Sequence, residues 1–385
     1  MIIHTVSPGE TLFGIAKRYA VSPVKIIENN FLPYPDRLIP GQQLLILAPT
    51  RTYFVRGGDT VNKICRRFGI KKNALLASNP ALHGRPILHA GTELALHYDT
   101  PLYGICALNG YVYEGTSTDR FYTLLPYLTY ITFCGRNENA KAFLQTAREE
   151  NKIPLLRLRL KELWNAYISD QQSLLKAVTN AKEAGYLGIT LSTDTDIDPK
   201  SAREFSIKVK KQLLGMDMLL FLEVEPTGNN GADVADGIIL LYEKVYNKDI
   251  PDFECGEKRM IKNHCESFEP GKTFLELSAF GYDGEKALTH DQIQKIAIKY
   301  GADIKNDTKK MICTLDYTQY KGGKKHPAHI AFESMENIKA KLELLHEFGF
   351  IGAMVDIGRV PISYIMMLYT MFAAVVNPQT GIYTI

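Results

Sequence analysis

Asp194, Asp196 and Asp198 alternate along the chain just after the apolar run Gly188 to Thr193. If the strand continued through them, that spacing would place all three carboxylates on one face, where such acids can exchange protons with a substrate. Glu223 and Glu225 repeat the alternation at the end of the run Met218 to Val224, and Tyr242 and Glu243 follow the run that begins at Gly237. Pro199 opposes a long strand through Asp198, because proline cannot donate a ladder hydrogen bond. The acidic run then reads equally well as a solvated loop entering a helix whose first turn favours negative charge. Cys255, His264 and Cys265 offer three possible metal ligands without the paired spacing of a zinc site. No metal and no cofactor is predicted, and the six scattered cysteines (Cys65, Cys106, Cys134, Cys255, Cys265, Cys313) read as reduced thiols.

Positioning these acids requires parallel strands that end on one side. After residue 98, apolar runs alternate with amphipathic helical segments, the pattern of βα units around a parallel sheet. The predicted strands are Tyr103 to Leu108, Tyr130 to Cys134, Ile153 to Leu158, Gly188 to Thr193, Met218 to Val224, Gly237 to Tyr242, Thr273 to Ser278 and Gly352 to Asp356. Eight strands suggest a closed (β/α)₈ barrel over residues 99–385, whose acids at the strand C-termini would line the mouth. A doubly wound open sheet is the competing architecture, but no Gly-rich dinucleotide turn follows the first strand.

The first hundred residues are a duplication. Pro8-Gly9-Glu10-Thr11-Leu12 aligns with Gly57-Gly58-Asp59-Thr60-Val61, Asn30 with Asn79, and Gly41 with Gly91. Each copy, 1–49 and 50–98, reads as strand, turn, helix, helix and strand (βααβ). Thr11 stands where a hydroxyl caps a helix, Leu12, Ile15, Ala16 and Tyr19 form one apolar face, and Ser22-Pro23 opens the second helix.

With 45 basic and 42 acidic residues among 385, the formal charge is +3, and no Lys/Arg block marks a nucleic-acid surface. The stretch Val360 to Val376 is interrupted by Ser363, Tyr364, Tyr369 and Thr370 and is a poor membrane span. Met1 to Val6 lacks the basic and apolar regions of a secretory signal, which predicts synthesis in the cytosol.

His4-Thr5-Val6-x-Pro8-Gly9-Glu10-Thr11-Leu12, Ile15-Ala16-x-x-Tyr19, Asn29-Asn30 and Pro40-Gly41-Gln42-x-Leu44 resemble a LysM domain over its whole length. The second copy resembles it through Tyr53 to Thr60, Ile64 to Phe68 and Ser78-Asn79-Pro80. The resemblance implies a shallow groove for N-acetylglucosamine-containing chains, formed by Gly9, Glu10, Thr11, Asn30 and Ile39 in one copy and by Gly58, Asp59, Thr60, Asn79 and Ile87 in the other. The threonines and asparagines also read as helix caps and helix ends, and both roles can coexist.

The barrel resembles the spore-associated branch of family 18 glycosidases through Phe280-Gly281-Tyr282-Asp283, Ala287-Leu288-Thr289, Tyr300-Gly301-Ala302 and Ala331 to Leu342. That branch pairs LysM modules with this barrel and acts on cortex peptidoglycan, and it implies a small α+β insertion after strand seven, about residues 284–332. The family carries Asp-Gly-x-Asp-x-Asp-x-Glu on strand four, and its substrate's own N-acetyl group attacks the sugar. Here the matching positions are Leu187, Gly188, Thr190, Ser192 and Asp194. Asp194 is therefore the candidate acid, short by one methylene, and displacement of about an ångström can lower a rate about 10²-fold. Loss of the orienting carboxylate at Ser192 removes several kcal/mol, by order of magnitude, of transition-state stabilisation. Tyr242 and Glu243 stand for the family's Met-x-Tyr-Asp, Asp356 stands where a tryptophan floors the sugar, and the only tryptophan is Trp164. A register shifted to Asp198 is the alternative placement of the acid.

These features predict a peptidoglycan-binding protein of the spore cortex or coat whose barrel turns over little or no substrate. An active N-acetylglucosaminidase, and a structural coat component whose barrel binds a spore-envelope protein, are the competing readings.

Overall fold

A computed structural model describes all residues except 83–86, 99–102, 193–196, 226–230, 242–252, 254–255, 278–279, 285, 378–381 and 385. The duplication is visible as two βααβ units. The first contains β1 (Ile2–Thr5), α1 (Leu12–Tyr19), α2 (Pro23–Asn30) and β2 (Gln43–Ile46); the second contains β3 (Arg51–Phe54), α3 (Val61–Phe68), α4 (Lys72–Ala77) and β4 (Glu93–His97). Each pair of strands is antiparallel, and each unit closes a small core, Ile15, Ile26 and Leu44 in the first and Ile64, Leu75 and Leu94 in the second. Thr11 Oγ1 accepts from the Gly14 amide at 3.1 Å and Thr60 Oγ1 from the Lys63 amide at 3.3 Å. Caps of this kind contribute about 1 kcal/mol each.

The remainder is a closed barrel. Its strands are β5 (Gly104–Val112), β6 (Tyr130–Cys134), β7 (Ile153–Arg159), β8 (Gly188–Ser192), β9 (Leu219–Val224), β10 (Gly237–Leu240) and β11 (Thr273–Glu276); after an insertion comes β17 (Gly352–Asp356), which pairs in parallel with both β11 and β5. The helices are α5 (Thr118–Leu124), α6 (Ala140–Glu149), α7 (Leu160–Ser169), α8 (Gln172–Ala184), α9 (Pro199–Leu214), α10 (Glu257–Ser267), α12 (Met335–Glu347) and α13 (Ile362–Met371). Within the insertion, β12 (Phe280–Asp283), β13 (Lys286–Thr289), α11 (His290–Tyr300), β14 (Ile304–Asp307), β15 (Ile312–Lys321) and β16 (Lys324–Glu333) form a five-stranded antiparallel sheet carrying one helix. It begins a few residues earlier than the sequence predicts, because Phe280–Asp283 is itself one of its strands. Strand β18 (Phe372–Asn377) pairs in parallel with the start of β5 and antiparallel with β19 (Ile382–Thr384).

Barrel strands buried on both faces need apolar residues throughout, which explains their continuous runs in the sequence. The inner face packs Ala107, Tyr130, Ile153, Leu155, Phe221, Ile239, Phe274 and Met354. The rings of Tyr130, Phe221 and Phe274 lie 5.0 to 5.6 Å apart, so the lower barrel is a filled core. The outer faces share a larger core with the helices, and this core runs on into the small units: Leu45 and Leu47 of the first, and Ala77, Ala95 and Tyr98 of the second, belong to it. Polar contacts reinforce the junctions. Tyr127 Oη donates to the Ala77 carbonyl at 2.6 Å, and Lys25 Nζ donates to Asn79 Oδ1 at 3.1 Å between the two units. The apolar stretch after Val360 is α13, buried within this body, followed by β18. Among the described residues no helix is long and apolar enough to cross a membrane.

Candidate functional site

Neighbouring parallel strands carry their side chains on matching faces, so the register identifies what lines the barrel mouth. Arg157 on β7 pairs with Thr190 on β8, which pairs with Phe221 on β9. Phe221 belongs to the inner core, so Arg157, Thr190, Ser192 and Glu223 point inward. Thr190 and Ser192 are buried, and neither hydroxyl has a hydrogen-bond partner. Across them runs an ion pair: Arg157 Nε donates to Glu223 Oε1 at 2.6 Å and its Nη2 to Oε2 at 2.8 Å. Tyr111 Oη donates to Glu223 Oε1 at 3.0 Å, and burial pushes the Tyr111 phenol well up. Glu223 is 2% exposed. Both carboxylate oxygens of Glu223 are thus engaged by the Arg157 guanidinium, and one of them also by the Tyr111 phenol. The pairing was not legible beforehand, although Arg157 interrupting an apolar strand was its one visible signal.

Asp194, Tyr242 and Glu243, the predicted catalytic positions, lie outside the described residues, as does Asp196. Asp198 is described: its Oδ1 accepts from the Lys200 and Ser201 amides, both at 3.1 Å, so it is the N-cap of α9. Hydrogen bonding from Ser201 lowers its pKa. Asp198, the acid of the shifted register, thus stands as the cap of α9. Asp356 stands at the end of β17, where burial raises its pKa against the opposing pull of Arg359. Its Oδ1 accepts from the Gly358 amide at 2.8 Å, and Oδ2 lies 3.1 Å from Arg359 Nη1. The Arg359 guanidinium sits 5.0 Å from the Phe280 ring centroid. Trp164 packs edge-on against Phe205 of α9, 5.1 Å between centroids, among the surrounding helices. His264 is buried in α10 against Phe268, burial lowers its pKa to about 4, and Cys255 lies outside the described residues.

In the two small units several predicted contact residues are already occupied. Glu10 Oε2 accepts from the Ser7 amide at 2.8 Å and lies 2.9 Å from His4 Nε2, while Oε1 lies 2.6 Å from Arg18. Asp59 plays the same part, accepting from Tyr53 Oη at 2.6 Å and from the Arg56 amide at 2.8 Å. Asn30 bridges helix and last strand, donating to the Ile26 and Leu45 carbonyls and accepting from the Leu45 amide at 2.7 Å. Asn79 does so in the second copy through Leu75 and Ala95. Gly9 and Gly58 turn with φ of +80° and +79°, which brings Thr11 and Thr60 to the surface beside them. Ile39 is buried and Ile87 exposed. Equivalent turn bonds, Gln42 to Ile39 and Thr92 to His89, show that His89 is the structural counterpart of Ile39.

The LysM family model, described as "LysM domain", matches residues 4–47 and 53–97. The cell wall-binding protein YocH of Bacillus subtilis (strain 168) is 32% identical over 96 residues, 24% of this chain and 32% of its own length. The chain spans less than a third of the length of the curated relatives it matches. Among solved structures, the spore cortex-lytic enzyme SleL of Bacillus cereus aligns over 96% of this chain and 98% of its own, with TM-score 0.73 and 18% identity. A chitinase from Chromobacterium violaceum ATCC 12472 aligns over 69% of this chain and 98% of its own, with TM-score 0.59 and 13% identity. The chain thus carries two LysM domains ahead of a barrel with the chitinase-like fold of SleL.

Proposed function

We propose that this chain is a peptidoglycan-binding protein of the spore envelope, cortex or coat, in which LysM domains hold N-acetylglucosamine-containing glycan and the barrel is strongly impaired as a hydrolase. The observation that supports the impaired-barrel half is the inward face of β8, where Thr190 and Ser192, at two positions that the family resemblance gives to acids, carry no charge and are spanned by the Arg157–Glu223 pair. Fold does not determine activity, whereas the lost charges bear on it directly. Asp194 would be the remaining acid of that sequence motif, with Tyr242 and Glu243 as substrate contacts. The binding half is supported by the two matches to the LysM model and by the name of the cell wall-binding relative. The spore assignment is supported by the likeness to SleL, whose name is that of a spore cortex-lytic enzyme. The test is incubation of the chain and of Asp194→Ala with purified cortex peptidoglycan and N-acetylglucosamine oligomers, scored for muropeptide release and for retention. Retention without cleavage is expected; release that disappears in the variant would overturn the impaired-barrel reading and make Asp194 the acid.

A further inference from the structure

The two LysM domains share a backbone but differ in what covers it. The groove that the LysM resemblance implies lies between a first turn, Pro8-Gly9 or Gly57-Gly58, and a second loop that ends at Gly41 or Gly91. Gly41 and Gly91 have nearly the same φ, +82° and +87°, and donate to equivalent carbonyls, Val6 and Val55, at 2.8 Å. In the first domain the second loop is docked on the barrel's insertion. The Ile304 amide donates to the Pro40 carbonyl at 2.9 Å, and Asn306 Nδ2 donates to the Gly41 carbonyl at 2.9 Å. A Cβ on Gly41 would stand 1.7 Å from the Ile304 carbonyl oxygen. Ile39 is 5% exposed, packed with Leu288, Ile293, Ile304 and Leu315 of the insertion. Next along the chain, Gln43 Oε1 accepts from the Met335 amide at 2.6 Å, and its amide group donates to Glu336.

The second domain has none of these contacts among the described residues. His89, Ala90 and Gly91 are exposed, and a Cβ on Gly91 would meet nothing within 4 Å. Its attachments to the barrel lie elsewhere, on the α4 side, through the Ala77 carbonyl and Ser78. Among the described residues, the first turn and the second loop of this domain are therefore both exposed, whereas the second loop of the first domain is covered by the insertion.

From this asymmetry we infer that glycan binding is divided unequally: the second LysM domain carries the N-acetylglucosamine chain, and the first is an adaptor whose groove loop is taken by the barrel's insertion. The inference rests on the glycan-binding reading above. It also changes what the duplication does. Two free modules would raise avidity by making the second contact intramolecular; a docked first module gives one contact per chain and a fixed attachment.

The test compares matched exposed positions in the full-length chain. Gly57 accepts a side chain freely, with ordinary φ and nothing within 4 Å of its Cβ, and Pro8 is its exposed counterpart. Titration with N-acetylglucosamine hexamer should give one site per chain. Gly57→Glu should weaken binding about tenfold or more, and Pro8→Glu less than about twofold. Two equivalent sites, or equal weakening by the two substitutions, would overturn the proposal. Hydrogen exchange without glycan gives a separate arm: residues 38–42 should exchange more slowly than 88–92, and equal rates would refute the docking. Should the unmodified chain bind no hexamer while 38–42 remains slow, the glycan-binding reading itself fails and the division of labour falls with it, although the docking stands.

Discussion

Removing one partner of the Arg157–Glu223 pair tests how the barrel mouth is held. Glu223 is 2% exposed and receives two charge-assisted hydrogen bonds, at 2.6 and 2.8 Å, plus the Tyr111 hydroxyl. Glu223→Ala would take the carboxylate away from the guanidinium and the phenol that donate to it. Breaking a buried pair in this way costs about 3–5 kcal/mol, whereas replacing both partners by apolar residues of similar volume is often close to neutral. Glu223→Ala should therefore lose about 3–5 kcal/mol, and Arg157→Met with Glu223→Leu should lose far less than the sum of its single changes. Trp164, the only tryptophan, packs on Phe205 in the helical shell, so its fluorescence during urea unfolding reports the barrel directly. A loss below about 1 kcal/mol in Glu223→Ala would be the magnitude of an exposed ion pair. That result would refute the reading of Arg157 and Glu223 as a buried pair.

Four further outcomes follow from the same coordinates. Lys152 is 2% exposed with no hydrogen-bond partner for its ammonium among the described residues, and burial lowers its pKa to about 8; Lys152→Met should stabilise the chain by up to about 3 kcal/mol at pH 7, the gain shrinking as pH rises from 8 to 10.5 in urea-unfolding series. His290, 3.1 Å from Tyr364 Oη, has its pKa pushed down by burial to about 4. Its contribution is present above pH 6.5 and lost as pH falls toward 4, about 3 kcal/mol in all, and His290→Gln should flatten that part of the stability profile. Gly41→Ala and Gly91→Ala carry the same positive-φ strain, about 1 kcal/mol, but only the first also meets Ile304; faster proteolysis of the loop at 38–42 is expected for Gly41→Ala alone. Thr60→Ala should destabilise the second LysM domain by about 1 kcal/mol through loss of the cap to Lys63, measured by hydrogen exchange in α3.

Much of the architecture was legible because it is written in local periodicity. The runs Tyr130 to Cys134 and Gly352 to Asp356 are barrel strands with the predicted bounds, and the βααβ repeat follows from two aligned turns and two aligned asparagines. The first barrel strand runs on to Val112, beyond its predicted end, since Asn109, Gly110 and Tyr111 break the apolar pattern while facing the closed barrel or its neighbours. Site geometry was less legible. Arg157 and Glu223 meet across an intervening strand, and only three-dimensional register brings them together. Asn30 and Asn79 look like polar residues free for a ligand, yet their amides complete backbone hydrogen bonding between helix and strand, a use that depends on where the last strand folds back. Ile39 gave no sign of being covered, because its cover comes from residues about 250 to 290 positions later.

The shared core joining both LysM domains to the barrel has a mechanical consequence. A module on a loose linker acts as a tether, letting its cargo sweep a volume and meet the wall at any angle. Here the last strands of the modules and α13 belong to one apolar cluster, so a glycan strand gripped at one end would set the heading of the whole body. Every molecule seated on a strand would then present its barrel mouth with the same tilt and at the same height, as identical brackets mounted along a rail.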